Sequence, residues 1–113
     1  MTLGKPTTNP VGAVELGPAA AEIEALCRRH KVRRLDLFGS AATGHFNPAS
    51  SDLDFLVEFE DLTPAAYARA YFGLREGLVA LFGRSVDLVT EPALQDPYLR
   101  RRVYAERANL YAA

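Results

Sequence analysis

The chain has 113 residues, 49% of them hydrophobic, and a formal net charge of −1. That length gives one domain with a modest core, and the balanced charge excludes the basic excess that drives general binding to nucleic-acid backbones. A single cysteine, Cys27, rules out an internal disulfide, and neither a secretion signal nor a bilayer-spanning apolar run is present, so the expected location is the cytoplasm, with no membrane or nucleic acid as direct ligand.

Residues 1–17 carry Gly4, Pro6, Pro10, Gly12 and Gly17 with little periodicity, which predicts a flexible leader ahead of a single domain over 18–113. From Pro18 to His30, Ile23, Leu26, Cys27 and His30 share one helical stripe, and Arg28 and Arg29 suit the negative end of the helix dipole. Arg34 to Phe38 alternates Leu35 and Leu37 with Arg34 and Asp36, as a strand does, so Asp36 is expected to point away from the apolar side. Gly39 then turns the backbone. After a loop containing Asn47-Pro48, a second strand is predicted over Asp52–Phe59.

Thr63-Pro64 reads as the N-cap and first turn of a helix that Gly83 stops after Phe82. Its expected buried stripe is Tyr67, Tyr71, Leu74, Leu78, Leu81 and Phe82. Gly73 and Gly77 cost roughly 1 kcal/mol each relative to alanine, which points to close packing on a sheet. A third strand covers Ser85–Thr90, and Pro92 and Pro97 precede a last helix over Tyr98–Tyr111, with Leu99, Val103 and Leu110 inward. This order predicts an α/β (α+β) domain of two layers, a small mixed β-sheet packed by helices.

The chemistry is concentrated around the second strand. Alternate strand side chains share a face, so Asp52 and Asp54 stand together in an otherwise apolar segment, where like charges repel and a divalent cation would compensate. Asp87, flanked by Val86 and Leu88, adds a third carboxylate if its strand neighbours the second. An all-oxygen ligand set suits Mg²⁺, which takes its remaining positions from water and substrate phosphates. Gly39 permits close backbone approach, and Ser40 offers a hydroxyl and an N–H to a phosphate. Ser51 either reaches a phosphate or makes a local hydrogen bond, and Glu58 reads as a strand-end charge. His30 and His45 lie in no metal-ligand spacing. The run Arg28, Arg29, Lys31, Arg33, Arg34 and the run Arg100-Arg101-Arg102 read as solvated helix-end charge, with local contact to nucleic acid or to an acidic partner face as the alternative. Tyr98, Tyr104 and Tyr111 suit either a partner interface or core packing.

Gly39-Ser40, Asp52-x-Asp54 and the later strand Asp87, in that order, resemble the motif set of the nucleotidyltransferase superfamily of the DNA polymerase β type. The resemblance is closest to its small stand-alone members, the minimal nucleotidyltransferases that act as antitoxins against HEPN-domain toxins, and it covers about Val32 to the C-terminus. It implies the nucleotidyltransferase fold and transfer of AMP from ATP to a hydroxyl, here a tyrosine of a partner HEPN toxin. By the same resemblance Asp52 and Asp54 hold Mg²⁺, Asp87 completes the metal site and acts as general base, and Gly39, Ser40 and Ser51 contact the nucleotide. One departure stands out: relatives commonly carry arginine in the turn after Gly-Ser, where this chain has Ala41 and Ala42. A non-catalytic antitoxin that acts by binding alone is therefore the alternative, and a small-molecule nucleotidyltransferase is a further one.

Overall fold

A computed structural model of the chain describes residues 16–39, 42 and 52–113. Ser40, Ser51, the Asn47-Pro48 loop and all but the last two residues of the expected leader lie outside the described residues. The elements run α1 (Leu16–Arg29), β1 (Val32–Phe38), β2 (Leu53–Phe59), α2 (Pro64–Phe82), β3 (Val86–Thr90), a 3-10 turn (Glu91–Ala93), α3 (Pro97–Glu106) and β4 (Ala108–Ala112). None of the described helices is long and apolar enough to cross a membrane.

The sheet has the order β3-β2-β1-β4. β1 pairs antiparallel with β2 and β4, while β2 and β3 run parallel, as the α2 crossover between them requires. Leu35, Leu37, Leu53, Phe55, Val57, Val86 and Leu88 all turn to one side and form the main core with Ile23 and Cys27 of α1 and Leu74 and Leu78 of α2. Burying each such side chain contributes roughly 1.5–3 kcal/mol, which makes this face the source of most of the stability. These are the two expected layers. Among the described residues, the opposite face carries a small cluster in which Leu56 meets Leu94 and Val103.

Local chemistry explains the helix ends. The Thr63 hydroxyl accepts from the Ala66 N–H at 3.3 Å, Pro64 occupies the first turn, and Gly83 closes α2 at φ 65° with its N–H donated to Val79 O at 2.8 Å. The α2 stripe is narrower than predicted. Ala70, Leu74 and Leu78 are buried, whereas Tyr67 is 36% exposed and stands edge-on to Phe59 at 5.1 Å. Tyr71 lies at the margin and donates its hydroxyl to Leu88 O at 2.5 Å. The two α2 glycines face α1 rather than the sheet. A Cβ on Gly73 would come within 2.5 Å of the His30 ring, and one on Gly77 within 2.4 Å of Leu26. Absent side chains thus let two helices approach.

The last predicted helix is two elements. α3 starts with Asp96 as N-cap, accepting from Tyr98 N–H at 2.9 Å, and ends at Glu106, after which Arg107 takes extended backbone angles. Ala108–Ala112 then forms an edge strand on β1, with Leu37 opposite Ala108 and Leu35 opposite Tyr111. Leu110 packs against the core from a strand instead of a helix. The free edge of β1 is the physical reason, because its peptide groups need partners that a continued helix would not supply.

Candidate active site

The ends of three strands converge at the β1–β2 turn. Gly39 follows β1 directly and adopts φ 75°, a left-handed angle that glycine tolerates without strain. Its missing side chain also matters, since a Cβ there would stand 2.4 Å from Asp54 Oδ2. The bend and the carboxylate are therefore in contact. Its carbonyl accepts from the Ala42 N–H at 3.1 Å, and the Ala42 side chain enters the main core.

Asp54 pairs with Phe38 across the antiparallel ladder and with Asp87 across the parallel one. Neighbouring strands lie about 4.8 Å apart, so residues in register place two carboxylates side by side on the same face. Asp54 is partly buried and Asp87 exposed. Burial first, then the charges of Asp87 and Asp52, push the Asp54 carboxyl up to about 6. Asp52 lies just ahead of β2 and is exposed. The following residue anchors it, because Leu53 N–H donates to Ser85 O at 3.1 Å and pins the start of β2 to that of β3.

Gly39, Asp54 and Asp87 are thus brought together, and Asp52 reaches Asp54 through its field. Among the described residues, no group of three His, Cys, Asp or Glu side chains is set closely enough to hold a metal ion as they stand. Their ion pairs engage Glu24, Asp36, Glu58, Glu91 and Glu106, leaving the Asp54–Asp87 pair without a protein cation within 4.0 Å. Adjacent hard oxygen donors with an uncompensated charge fit a divalent cation. Ser40 and Ser51 lie outside the described residues.

The carboxylates open into a cleft of about 460 Å³ between the sheet and α3. Its far wall is one helical stripe, Leu99, Arg102, Val103 and Glu106, at spacings of three and four residues. Arg102 and Glu106 were not singled out from sequence. The signal was present, because Leu99 and Val103 already marked the inward stripe, but Arg102 sat within a triple-arginine run that reads as a block of solvent charge.

One buried acid on the same face belongs to no catalytic motif. Asp36 points away from the main core, as its alternation predicts, yet it is only 1% exposed. Arg34 reaches it at 3.0 Å, Arg107 at 3.4 Å, and Asn109 Nδ2 donates to it at 2.9 Å. Arg107 also lies 4.5 Å from the Tyr104 ring centroid, and the Tyr104 hydroxyl donates to Glu91. This knot ties β4 and the end of α3 to β1.

A family model for the nucleotidyltransferase domain matches residues 22–109. A Methanocaldococcus jannaschii protein named putative protein adenylyltransferase is 32% identical over 91 residues, 74% of this chain and 89% of that protein. Among solved structures, one named putative minimal nucleotidyltransferase aligns with a TM-score of 0.61 at 37% identity, covering 82% of this chain and 90% of the other. A crystal structure of a toxin–antitoxin with AMP-PNP aligns with a TM-score of 0.62 at 26% identity, covering 83% of this chain and 73% of the other.

Proposed function

Because the chain belongs to the nucleotidyltransferase domain family and is a minimal member related to antitoxins of the MNT–HEPN type, we propose that it transfers AMP from ATP to a tyrosine hydroxyl of a HEPN-domain toxin. The observation that carries this reading is the Asp54–Asp87 register beside Gly39, with the Asp54 carboxyl held near 6 by burial and neighbouring acids. A repelling acidic pair beside a tight backbone bend is costly to a fold and useful to phosphoryl chemistry.

In the reaction the acceptor oxygen attacks the α-phosphorus in line, the bond from that phosphorus to the bridging oxygen of the β-phosphate breaks, and pyrophosphate leaves. Asp87, the more exposed of the pair, takes the acceptor proton as general base. Asp52, Asp54 and Asp87 would hold Mg²⁺, which when bound neutralises the triphosphate and polarises its α-phosphoryl group. Gly39 lets the bend stand against the Asp54 carboxylate at the nucleotide site, and Ser40 and Ser51 supply hydroxyl groups to the nucleotide. The apolar sheet face under α3, with Val89 and Leu94, keeps water from the inner end of the cleft.

The adenylyltransferase name of the archaeal relative and the toxin–antitoxin assembly of the structural neighbour both support a protein acceptor. The test is to incubate the purified chain with the toxin encoded beside it, ATP and Mg²⁺, and weigh the toxin. An adenylyl mass increase that disappears with Asp54→Asn is expected; an unmodified toxin with verified complex formation sinks the reading.

Ala41 and Ala42, in place of the turn arginines, favour one second reading, an antitoxin that acts by binding alone. Asp52→Asn combined with Asp54→Asn separates the two. Full protection of cells by that double variant would establish binding as sufficient.

A further inference from the structure

We infer that Arg102 grips the phosphate chain of the nucleotide, with Glu106 as the resting partner it leaves when nucleotide enters. The inference rests on the reading of the cleft as a nucleotidyl-transfer site and adds a residue to it that no motif contains.

A phosphate chain entering this cleft meets Asp54, Asp87 and Glu106, and Arg102 is the single basic side chain among the described residues of its lining. The helical period selects it from the arginine run. Arg102 falls on the stripe of Leu99, Val103 and Glu106, whereas Arg100 turns to Glu91 at 3.9 Å and to the Tyr104 ring at 5.7 Å. Arg107 is committed to Asp36, and Arg101 is exposed and does not line the cleft.

Arg102 is also available. Its Nε lies 3.8 Å from Glu106 Oε2, beyond hydrogen-bond length, and its side chain is 72% exposed. An exposed pair at that distance is weak and gives way to a polyanion, which guanidinium binds through two parallel donors. Position 42 cannot serve instead. An alanine stands there with its side chain in the main core at 8% exposure. Buried Val103 fixes α3 on the sheet, and the Asp36–Arg107 contact anchors its end, so the stripe is held at a set height above the carboxylates.

Titration calorimetry with Mg-ATP and with AMP tests this on the wild type, Arg102→Ala, Arg102→Lys, Glu106→Gln and Arg101→Ala. Arg102→Ala is expected to weaken Mg-ATP binding roughly tenfold to a hundredfold while AMP binding changes less than about threefold, and to raise KM for ATP more than it lowers kcat. Arg102→Lys recovers part of the loss, Glu106→Gln tightens Mg-ATP by about threefold, and Arg101→Ala matches the wild type. Wild-type affinity in Arg102→Ala, or an equal loss for ATP and AMP, overturns the role of Arg102 and leaves the transfer reading standing. A wild-type chain that binds no Mg-ATP overturns both.

Discussion

Two acids on one face of the sheet have opposite fates. Asp36 is fully buried and satisfied by Arg34, Arg107 and Asn109, whereas Asp54 is partly buried beside a second carboxylate with no protein cation in ion-pair range among the described residues. The first is the economy of a structural carboxylate, whose charge is cancelled by groups that cross-link β1, α3 and β4. The second leaves its charge for something the described residues do not supply. Burial alone does not separate structure from function here; the presence or absence of compensation does.

The largest effect that would break this contrast is catalytic. Asp54→Asn is expected to lower AMP transfer by about a thousandfold or more, read by the mass increase of the acceptor, while leaving the thermal midpoint equal to or above that of the wild type in metal-free buffer at pH 8. Asp36→Ala is expected to do the reverse. It should cost about 2–4 kcal/mol in urea unfolding, because Arg34 and Arg107 lose their partner and β4 its tie to β1, and transfer should fall only as far as the folded fraction does.

Acidity sharpens the same contrast. The Asp54 carboxyl moves from an ordinary 3.8 to about 6 in the fold, so between those values the folded chain holds a proton that the unfolded chain has released. Stability contributed by Asp54 is therefore present below 3.8 and is lost as pH rises to about 6. In metal-free buffer the urea midpoint of the wild type is expected to show a downward step across that window that Asp54→Asn lacks. Mg²⁺ added at pH 8 should raise the wild-type midpoint and leave that of Asp54→Asn unmoved.

The smallest effects lie in α1 and the turn that follows it. Cys27 is fully buried, and burial first, with Glu24 adding, pushes its thiol up to about 12. Alkylation should proceed only through unfolded molecules and slow in proportion to stability. Lys31 holds φ 61° in the turn from α1 to β1, so Lys31→Gly is expected to add about 0.5–1 kcal/mol to unfolding free energy without touching transfer.

Most of the fold was legible because its signals are local. Thr63, Pro64 and Gly83 mark the limits of α2, alternation marks β1 and β2, and Gly39 with Asp52 and Asp54 marks the candidate site. The misread elements answer to partners distant in sequence. Residues 108–112 read as helix because Leu110 follows Val103 at helical spacing, and the decisive fact, a β1 edge some seventy residues earlier that needs a partner, leaves no trace in the local pattern. Gly73 and Gly77 announced close packing, expected on the sheet, but their neighbours are His30, just past the end of α1, and Leu26 of α1.

The sequence by itself determined the order of most elements, the Asp52-x-Asp54 pair with its glycine bend, and the family, since each rests on residues near one another in the chain. Only the tertiary structure decided that Asp54 and Asp87 stand in register, that Asp36 is neutralised while Asp54 is not, and that Arg102 rather than its neighbours faces the cleft. The reason is physical: a charge acquires its meaning from the groups across the space around it, and strand pairing and helix docking choose those groups.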